Sequence, residues 1–359
     1  MRQPVRSLLT MLGVAVGVAA GFAMVGVAWG FESSWVRAFN ARGTDMVVAR
    51  MTSKSPVPTA FDEARVADVA AVRGVRASAG VLTDLLKVEG GATLAVHGFQ
   101  PGSFLWDSLT WREGSLQKGP ADGVYLGVLA AEILKKKTGD LLTIEDSKLP
   151  VLGVCESGAV TENGAVFMAL ATMQSLMGME GKVNFLNLQL DPRVSDYPAV
   201  KETIERRFRG LKVFRTGEIA EKNSGVLAAK AMSLATSLIA LVVGTIGVVN
   251  TLMISVFERT GEFGLLSAVG WSRARIASMV LWESVLLSLL GAALGIVAGY
   301  TGVHCLEHMN FMKGRIEGDF PPGLVALTFA AALCLGIAGG ILPALRACSM
   351  RPQMALRSE

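Results

Sequence analysis

Four apolar runs, Leu8 to Phe31, Ala231 to Phe257, Ile276 to Val303 and Leu324 to Leu345, decide most of what this chain can become. Each is long enough to cross a hydrocarbon core as a helix, which takes about 20 residues. A spanning segment must satisfy its own backbone hydrogen bonds in lipid, so such runs are helical. Of the 359 residues 51% are hydrophobic and only 18% charged, too apolar for an ordinary soluble domain. The sequence is that of a membrane protein with four transmembrane helices. A cleaved signal peptide is the alternative for the first run, where Ala28-Trp29-Gly30 imitates a cleavage site. Its apolar stretch, however, exceeds the usual core of about 7 to 15 residues.

The flanks set the orientation, because Lys and Arg concentrate on the cytoplasmic side. Arg2 and Arg6 precede the first run, Arg259, Arg273 and Arg275 separate the second from the third, and Arg346, Arg351 and Arg357 follow the fourth. Between the third and fourth, Lys313 and Arg315 are offset by Glu307, Glu317 and Asp319. Both termini and residues 258–275 are therefore expected in the cytoplasm. The net charge of +4 reports this topology, and without an aromatic-plus-basic stripe no nucleic-acid partner is expected.

Residues 32–228, inserted between the first and second spans, change character. Charges become frequent, apolar runs shorten, and Gly, Pro and Asp punctuate them, as in a large mixed α/β domain. By the same orientation it is extracytoplasmic. Strands are expected at Asp45 to Arg50, Ala79 to Glu89, Thr93 to Phe99, Gly123 to Leu126, Leu141 to Ile144, Leu149 to Val154, Ala165 to Ala169 and Asn184 to Leu190. Helices are expected at Phe61 to Val72, Val128 to Lys136, Ala171 to Met177 and Tyr197 to Phe208. The conspicuous charge run, Lys135-Lys136-Lys137 before Thr138-Gly139-Asp140, reads as a solvated helix end with a Gly cap. Cys155, Cys305, Cys334 and Cys348 are scattered over different segments and form no paired framework, so the domain must be held by its own core.

The expected organisation is thus an N-terminus and first helix over 1–31, the α/β domain over 32–228 and the second helix over 229–257. A cytoplasmic connector over 258–275, the third helix over 276–303, an external loop over 304–323, the fourth helix over 324–345 and a cytoplasmic tail over 346–359 complete it.

Gly13, Gly17 and Gly21 in the first span and Gly291, Gly295 and Gly299 in the third recur every four residues, a strip along which another helix backbone can approach closely. Glu283 is the acidic residue inside a span and is a functional candidate on that ground. It rises only about 12 Å above Arg275 at 1.5 Å per residue, within reach of polar groups at the cytoplasmic boundary. A structural or conformational contact is expected there in preference to a proton relay.

Chemistry is sparse. No G-x-x-x-x-G-K-[ST] phosphate loop is present, so ATP must be handled by another polypeptide. His304-Cys305-Leu306-Glu307-His308 matches the H-x-x-E-H pattern of inverted zinc peptidases, but it lacks an evident third ligand, and a membrane boundary commonly carries His and Glu. His97 lies in an expected strand with no nucleophile-elbow motif. No catalytic residue, metal site or cofactor is expected in the chain itself.

The polar stretch between the second and third spans, FERTGEFGLLSAVGWSRARI, carries a short helix with Glu258, Arg259 and Glu262 outward. Phe263, Leu266 and Val269 form an apolar stripe, Gly270 ends the helix, and Ser272 caps the third span. Such a helix, joined rigidly to two membrane helices, is a lever.

This stretch, ERTGEFGLLSAVGWSRARI with the following ESVLLSLLGAALGIVAGY, resembles the coupling helix and third span of MacB/FtsX-type ABC transporter permeases. RSLLTMLGVAVGVAAG at Arg6 to Gly21 resembles that family's opening span. GGILPALRACSMRPQMALRSE resembles its closing span, with Pro343, Ala344, Arg346, Pro352 and Ala355-Leu356 in order. GVYLGVLAAEILKKKTGDLLTIEDSKLPVLGVCESG is similar to its periplasmic core domain. The resemblance implies a permease in a bacterial inner membrane, paired with a second copy or a related permease and resting on separate ABC ATPase subunits that carry ATP and Mg²⁺. A periplasmic adaptor or membrane-fusion protein is a further implied partner. Glu258, Arg259, Thr260, Glu262, Phe263, Gly264 and Gly270 would contact the ATPase, whose motion would be relayed to the external domain. Glu283 would correspond to an acidic position often seen early in the family's third span. The implied work is export or extraction of an amphipathic substrate, lipoprotein or lipid; the alternative is an FtsX-like signalling or scaffold permease that activates a cell-wall hydrolase. Two departures stand out: MacB carries its ATPase at the N-terminus of the same chain, and family members usually have an amphipathic segment before the first span, where Met1 to Ser7 stand here.

Overall fold

A computed structural model describes residues 4–52, 55–116, 122–193, 196–222, 224–309 and 317–349. Arg2, Lys313, Arg315, Arg351, Pro352, Ala355, Leu356 and Arg357, used in the expectations above, lie outside the described residues. The chain begins with α1 (Pro4–Ala41), β1 (Met46–Thr52), β2 (Ser55–Thr59), β3 (Phe61–Asp62), α2 (Arg65–Ala70), β4 (Val75–Lys87), β5 (Thr93–Phe99), β6 (Thr110–Gly114) and β7 (Val124–Gly127). Next come α3 (Val128–Leu134), β8 (Leu141–Ile144), β9 (Ser147–Glu156), α4 (Val160–Asn163), β10 (Val166–Ala169), α5 (Leu170–Met177), β11 (Lys182–Val183) and β12 (Phe185–Leu190). It closes with α6 (Tyr197–Arg207), β13 (Leu211–Arg215), α7 (Thr216–Lys222), α8 (Ser224–Glu258), α9 (Thr260–Ala268), α10 (Arg273–His308) and α11 (Pro322–Cys348).

Two compact units result: Met1–Trp29 with Ala229–Cys305 and Gly318–Glu359, and Gly30–Ala228 with Leu306–Glu317. In the first, α1, α8, α10 and α11 are each long and apolar enough to cross a membrane. Glycine sets their approach. A Cβ on Gly291 would lie 2.9 Å from Val14 Cβ, on Gly295 2.7 Å from the Ala15 carbonyl oxygen, and on Gly299 2.9 Å from that of Ala19. The strip on α10 therefore lies directly on the α1 backbone. The strip on α1 faces α8 more loosely, with Gly17 toward Ala240 at 3.4 Å and Gly21 toward Ser237 at 3.3 Å, while a Cβ on Gly13 would meet nothing within 4 Å. Gly336, Gly339 and Gly340 of α11 crowd Val285, Val248 and Ser284, and the Ser284 hydroxyl donates to the Gly336 carbonyl at 2.6 Å.

The second unit is a mixed sheet in the order β13-β1-β12-β4-β5-β10-β7-β9-β6, with β2 on β1 and β8 on β9. The β5–β10 and β7–β9 pairs are parallel, the rest antiparallel. Side chains alternate between its faces as a pleat requires. Met46 and Val48 of β1 join a core with Val66 and Val69 of α2, Leu170 and Met173 of α5 and Ile204 of α6. Val47 and Ala49 instead meet Phe39 at the end of α1. A second cluster gathers the rings of Phe99, Trp106, Tyr125 and Phe167 with Val81, Leu105 and Leu109.

Several boundaries differ from expectation. α1 continues to Ala41, ten residues past Phe31, because Trp35 and Phe39 supply an apolar face for β1. Phe61–Asp62 forms a strand paired with Lys182–Val183, so the expected helix from Phe61 starts only at Arg65. β2, β6, β11, β13, α4 and α7 were not expected; β6 is an exposed polar edge and α4 a single turn. The Lys run has no Gly cap at its helix end. Lys135 itself caps α3 in the left-handed conformation (φ 53°), and Lys136 pairs with Glu89 at 3.0 Å and donates to the Leu141 carbonyl.

Candidate functional site

The connector between α8 and α10 is built around Phe263. Only 2% exposed, it packs among Val256, Ile276, Val280, Ala344 and Ala347, and so fastens α9 to the ends of three spanning helices. The helix stops at a Schellman motif: Trp271 N–H donates to the Leu266 carbonyl (3.0 Å), Gly270 N–H to that of Ser267 (3.1 Å), and Gly270 takes φ 95°. Trp271 and Leu266 pack against the same cluster, the apolar contact that accompanies this cap. Ser272 Oγ then accepts from Arg275 N–H at 3.4 Å as α10 begins.

The apolar stripe divides. Phe263 and Leu266 turn inward, whereas Val269, at the helix cap instead of within the helix, is 73% exposed. Leu265, 60% exposed, and Phe257, 52%, share its exposure in this connecting segment. Glu258 is exposed, Gly264 is buried and the Thr260 hydroxyl donates to the Phe257 carbonyl at 2.6 Å. Arg259 departs from the outward expectation. Its guanidinium lies over the Phe263 ring at 5.2 Å, reaches Glu262 at 3.0 Å, and turns back to Glu283 of α10 at 3.3 Å. The structure thus brings Arg259, Glu262, Phe263 and Glu283 together, with Glu283 in a structural ion pair to the connector.

Next to these helices, α1, α8 and α11 line an apolar groove of 350 Å³ that passes Val14, Phe22, Leu241 and Leu335, with Trp29 and Lys230 also on its wall.

In the α/β unit, the turn after α1 buries a charge. Arg42 Nε donates to Glu162 of α4, both groups being almost wholly buried, and the second carboxylate oxygen accepts from the Ser157 hydroxyl. The same guanidinium lies over Phe99 at 5.1 Å and Phe39 at 5.7 Å. Ser34 and Arg37, also on α1, reach Glu317 at 3.1 and 2.7 Å. Sequence reasoning missed this anchor; the one signal available was an Arg-Gly dipeptide following a helix, with a carboxylate 120 residues away. His97, beside Phe167 and Phe99, accepts or donates at Nδ1 with the Thr83 hydroxyl (3.0 Å), and burial, assisted by nearby Arg42, holds its proton affinity well below the usual imidazole range. Burial likewise pushes the Cys155 thiol up to about 12, aided by the Glu162 charge, which keeps it an unreactive neutral thiol.

His304, Glu307 and His308 fall in the last turns of α10, with His304 stacked on Tyr300 at 6.0 Å. Among the described residues no group of three or more His, Cys, Asp or Glu side chains is placed to hold a metal ion.

These features define a membrane protein with four spanning helices, a large mixed α/β domain between the first and second, and a short packed helix between the second and third. The model of the MacB-like periplasmic core domain matches residues 7–207, and that of the FtsX-like permease C-terminal domain matches 234–352. The chain belongs to the MacB/FtsX-type ABC transporter permease family. It is 25% identical over 385 residues to the uncharacterized ABC transporter permease YknZ of Bacillus subtilis, covering 99% of this chain and 95% of that one. It is 24% identical over 383 residues to the macrolide export ATP-binding/permease protein MacB of Brucella melitensis, covering 99% of this chain and 58% of that relative, and so spans little more than half of it. The crystal structure of the periplasmic region of MacB from Actinobacillus actinomycetemcomitans aligns with a TM-score of 0.41 and 10% identity, over 51% of this chain and 94% of that one.

Proposed function

We propose that the chain is the non-catalytic membrane subunit of an ABC transporter in a bacterial inner membrane, with both termini cytoplasmic. An ABC ATPase that binds ATP and Mg²⁺ would grip the connector around α9, and its motion would pass through the spanning helices to the extracytoplasmic α/β domain. The observation that carries this reading is the divided connector. Phe263 and the Arg259–Glu283 pair tie α9 to the bundle, while Leu265 and Val269 present apolar surface outside it. Large apolar side chains held out on a rigid polar segment are what a docking partner buries. Pairing with a second copy or a related permease completes the assembly, and a periplasmic adaptor is a further partner. The cargo is an amphipathic substrate, lipoprotein or lipid, a choice supported by the apolar groove with a cation and a tryptophan on its wall.

The test is affinity purification of the tagged protein from its own membranes, with identification of co-purifying chains and an ATP turnover assay. An ATPase subunit should co-purify with the wild type and be lost from Leu265→Glu/Val269→Glu. The Glu258→Lys/Glu262→Lys variant should uncouple turnover while insertion persists. Unchanged assembly and turnover in both variants would sink the proposal.

A further inference from the structure

A second, unrelated concavity lies in the α/β unit, at the edge where α6 ends. It has a volume of 490 Å³, and among the described residues six cations line it: Arg50, Arg65, Lys182, Arg206, Arg207 and Arg209. They come from β1, α2, β11, α6 and the turn that follows, so the fold and not a local sequence run assembles them. Of the described carboxylates, Asp62 also lines the cleft and is taken by Lys182. Asp68 takes Arg65 at 3.5 Å and Glu202 takes Arg206 at 3.3 Å, from positions beside the cleft. Among the described residues, Arg50, Arg207 and Arg209 have no carboxylate within ion-pair distance, and all three are exposed.

Cations in the last turn of α6 complement the helix dipole, which accounts for Arg206 and Arg207 but not for the convergence of the other four. Gathering like charges around a hollow costs self-repulsion and focuses a positive potential inside it. The guanidinium groups are also pre-positioned: Arg65 and Arg207 both lie against the Phe208 ring, at 5.7 and 5.5 Å from its centroid. The Asp62 carboxyl is held below the usual carboxylate range chiefly by its hydrogen bond and proximity to Lys182, with Arg65 and Arg50 adding to the effect.

We propose that this cleft binds a ligand carrying two or more phosphoryl groups. Among the described residues arginine outnumbers lysine five to one in the lining, and the guanidinium fork suits phosphoryl oxygens held by two parallel hydrogen bonds. One phosphoryl group brings a charge of about −1.5 to −2, so a single one leaves the three uncompensated arginines only partly neutralised and two match them. The cleft falls in the volume range of ligand pockets, roughly 300–1,000 Å³, ample for such a group. Either a diphosphorylated lipid headgroup or a free polyphosphate has this chemistry.

The experiment is calorimetric titration of the full chain, held in nanodiscs of zwitterionic lipid, with inorganic tripolyphosphate. Saturable binding is expected, weakened at least tenfold in Arg50→Gln/Arg207→Gln/Arg209→Gln and changed less than twofold in Lys135→Gln/Lys137→Gln, with both variants melting as the wild type does. Citrate, a polycarboxylate probe, should bind at least tenfold more weakly than tripolyphosphate. A water-soluble short-chain lipid whose headgroup carries two phosphate monoesters, dioctanoyl phosphatidylinositol 4,5-bisphosphate, separates the sources: tighter binding than tripolyphosphate identifies a lipid headgroup, weaker or equal binding a free polyphosphate. Absence of saturable binding, equal affinity in the two variants, or citrate binding as well as tripolyphosphate would overturn the proposal.

Discussion

In the membrane unit close helix contacts are made where a side chain is missing, as at Gly291, Gly295 and Gly299 of α10 against α1. In the α/β unit the core is filled by Phe99, Phe167, Leu126 and Met168, and it encloses the buried Arg42–Glu162 pair. The solvent explains the contrast. Lipid tails are as apolar as the helices, so burying a leucine between helices gains little and association depends on close backbone approach. The α/β unit gains roughly 25 cal/mol for each Å² of apolar surface withdrawn from water, so large side chains dominate, and a buried charge is tolerated only when fully paired.

The sharpest way to break this comparison is at the ion pair. Arg42→Ala leaves the Glu162 carboxylate buried without its partner and should cost about 3–5 kcal/mol, read by denaturant unfolding of the protein in detergent. The double variant Arg42→Met/Glu162→Leu should recover most of that loss, and if it does not, the pair is more than a paired burden on the core. Next in size, Gly295→Ala should cost about 1–3 kcal/mol in thermal unfolding, because a methyl cannot fit 2.7 Å from the Ala15 oxygen without the helices parting.

A smaller effect belongs to the α/β unit alone. His97 resists protonation when folded, whereas the unfolded chain takes up its proton near pH 6.5, so more protons are bound by the unfolded state below that pH. Stability should fall as pH drops through about 6.5 and level off below the folded value, with a slope of at most about 1.4 kcal/mol per pH unit. His97→Gln should flatten that part of the pH profile. At the bottom of the scale, Gly13→Ala should be silent to within about 0.5 kcal/mol, since nothing lies within 4 Å of the added methyl. A large effect there would reveal a contact made by another chain.

Legibility in the sequence follows the same division. The four spans could be read directly because about 20 apolar residues in a row admit few alternatives. Thr93–Phe99 and Leu141–Ile144 were bounded to the residue, since alternation and flanking Gly or Asp mark both ends. The connector helix was also readable, but not its faces. A period of 3.6 groups Val269 with Phe263 and Leu266, yet the helix ends at Ala268, and the cap turns Val269 away. Arg259 reads as an outward charge until the return of α10 places Glu283 beside it. The cleft cations were hidden for a similar reason: Arg206-Arg207-Phe208-Arg209 is a modest run, and Arg50, Arg65 and Lys182 reach it only through strand pairing. Charges that meet across more than a hundred residues leave no local period to detect.

The sheet order has a consequence in time. β1 lies between β12 and β13, with Val48 opposite both Leu186 and Val213. The Met46–Ala49 part of this first strand must therefore wait for partners synthesised roughly 140 residues later, which at about 5–20 residues per second is on the order of ten seconds. Throughout that interval β2 pairs only the end of the strand at Arg50 and Thr52, and the Met46–Ala49 apolar run is left without its partners on either edge. The nascent chain is most vulnerable to mispairing at its beginning, and variants that slow synthesis between β1 and β12 should aggregate before any that weaken the finished sheet.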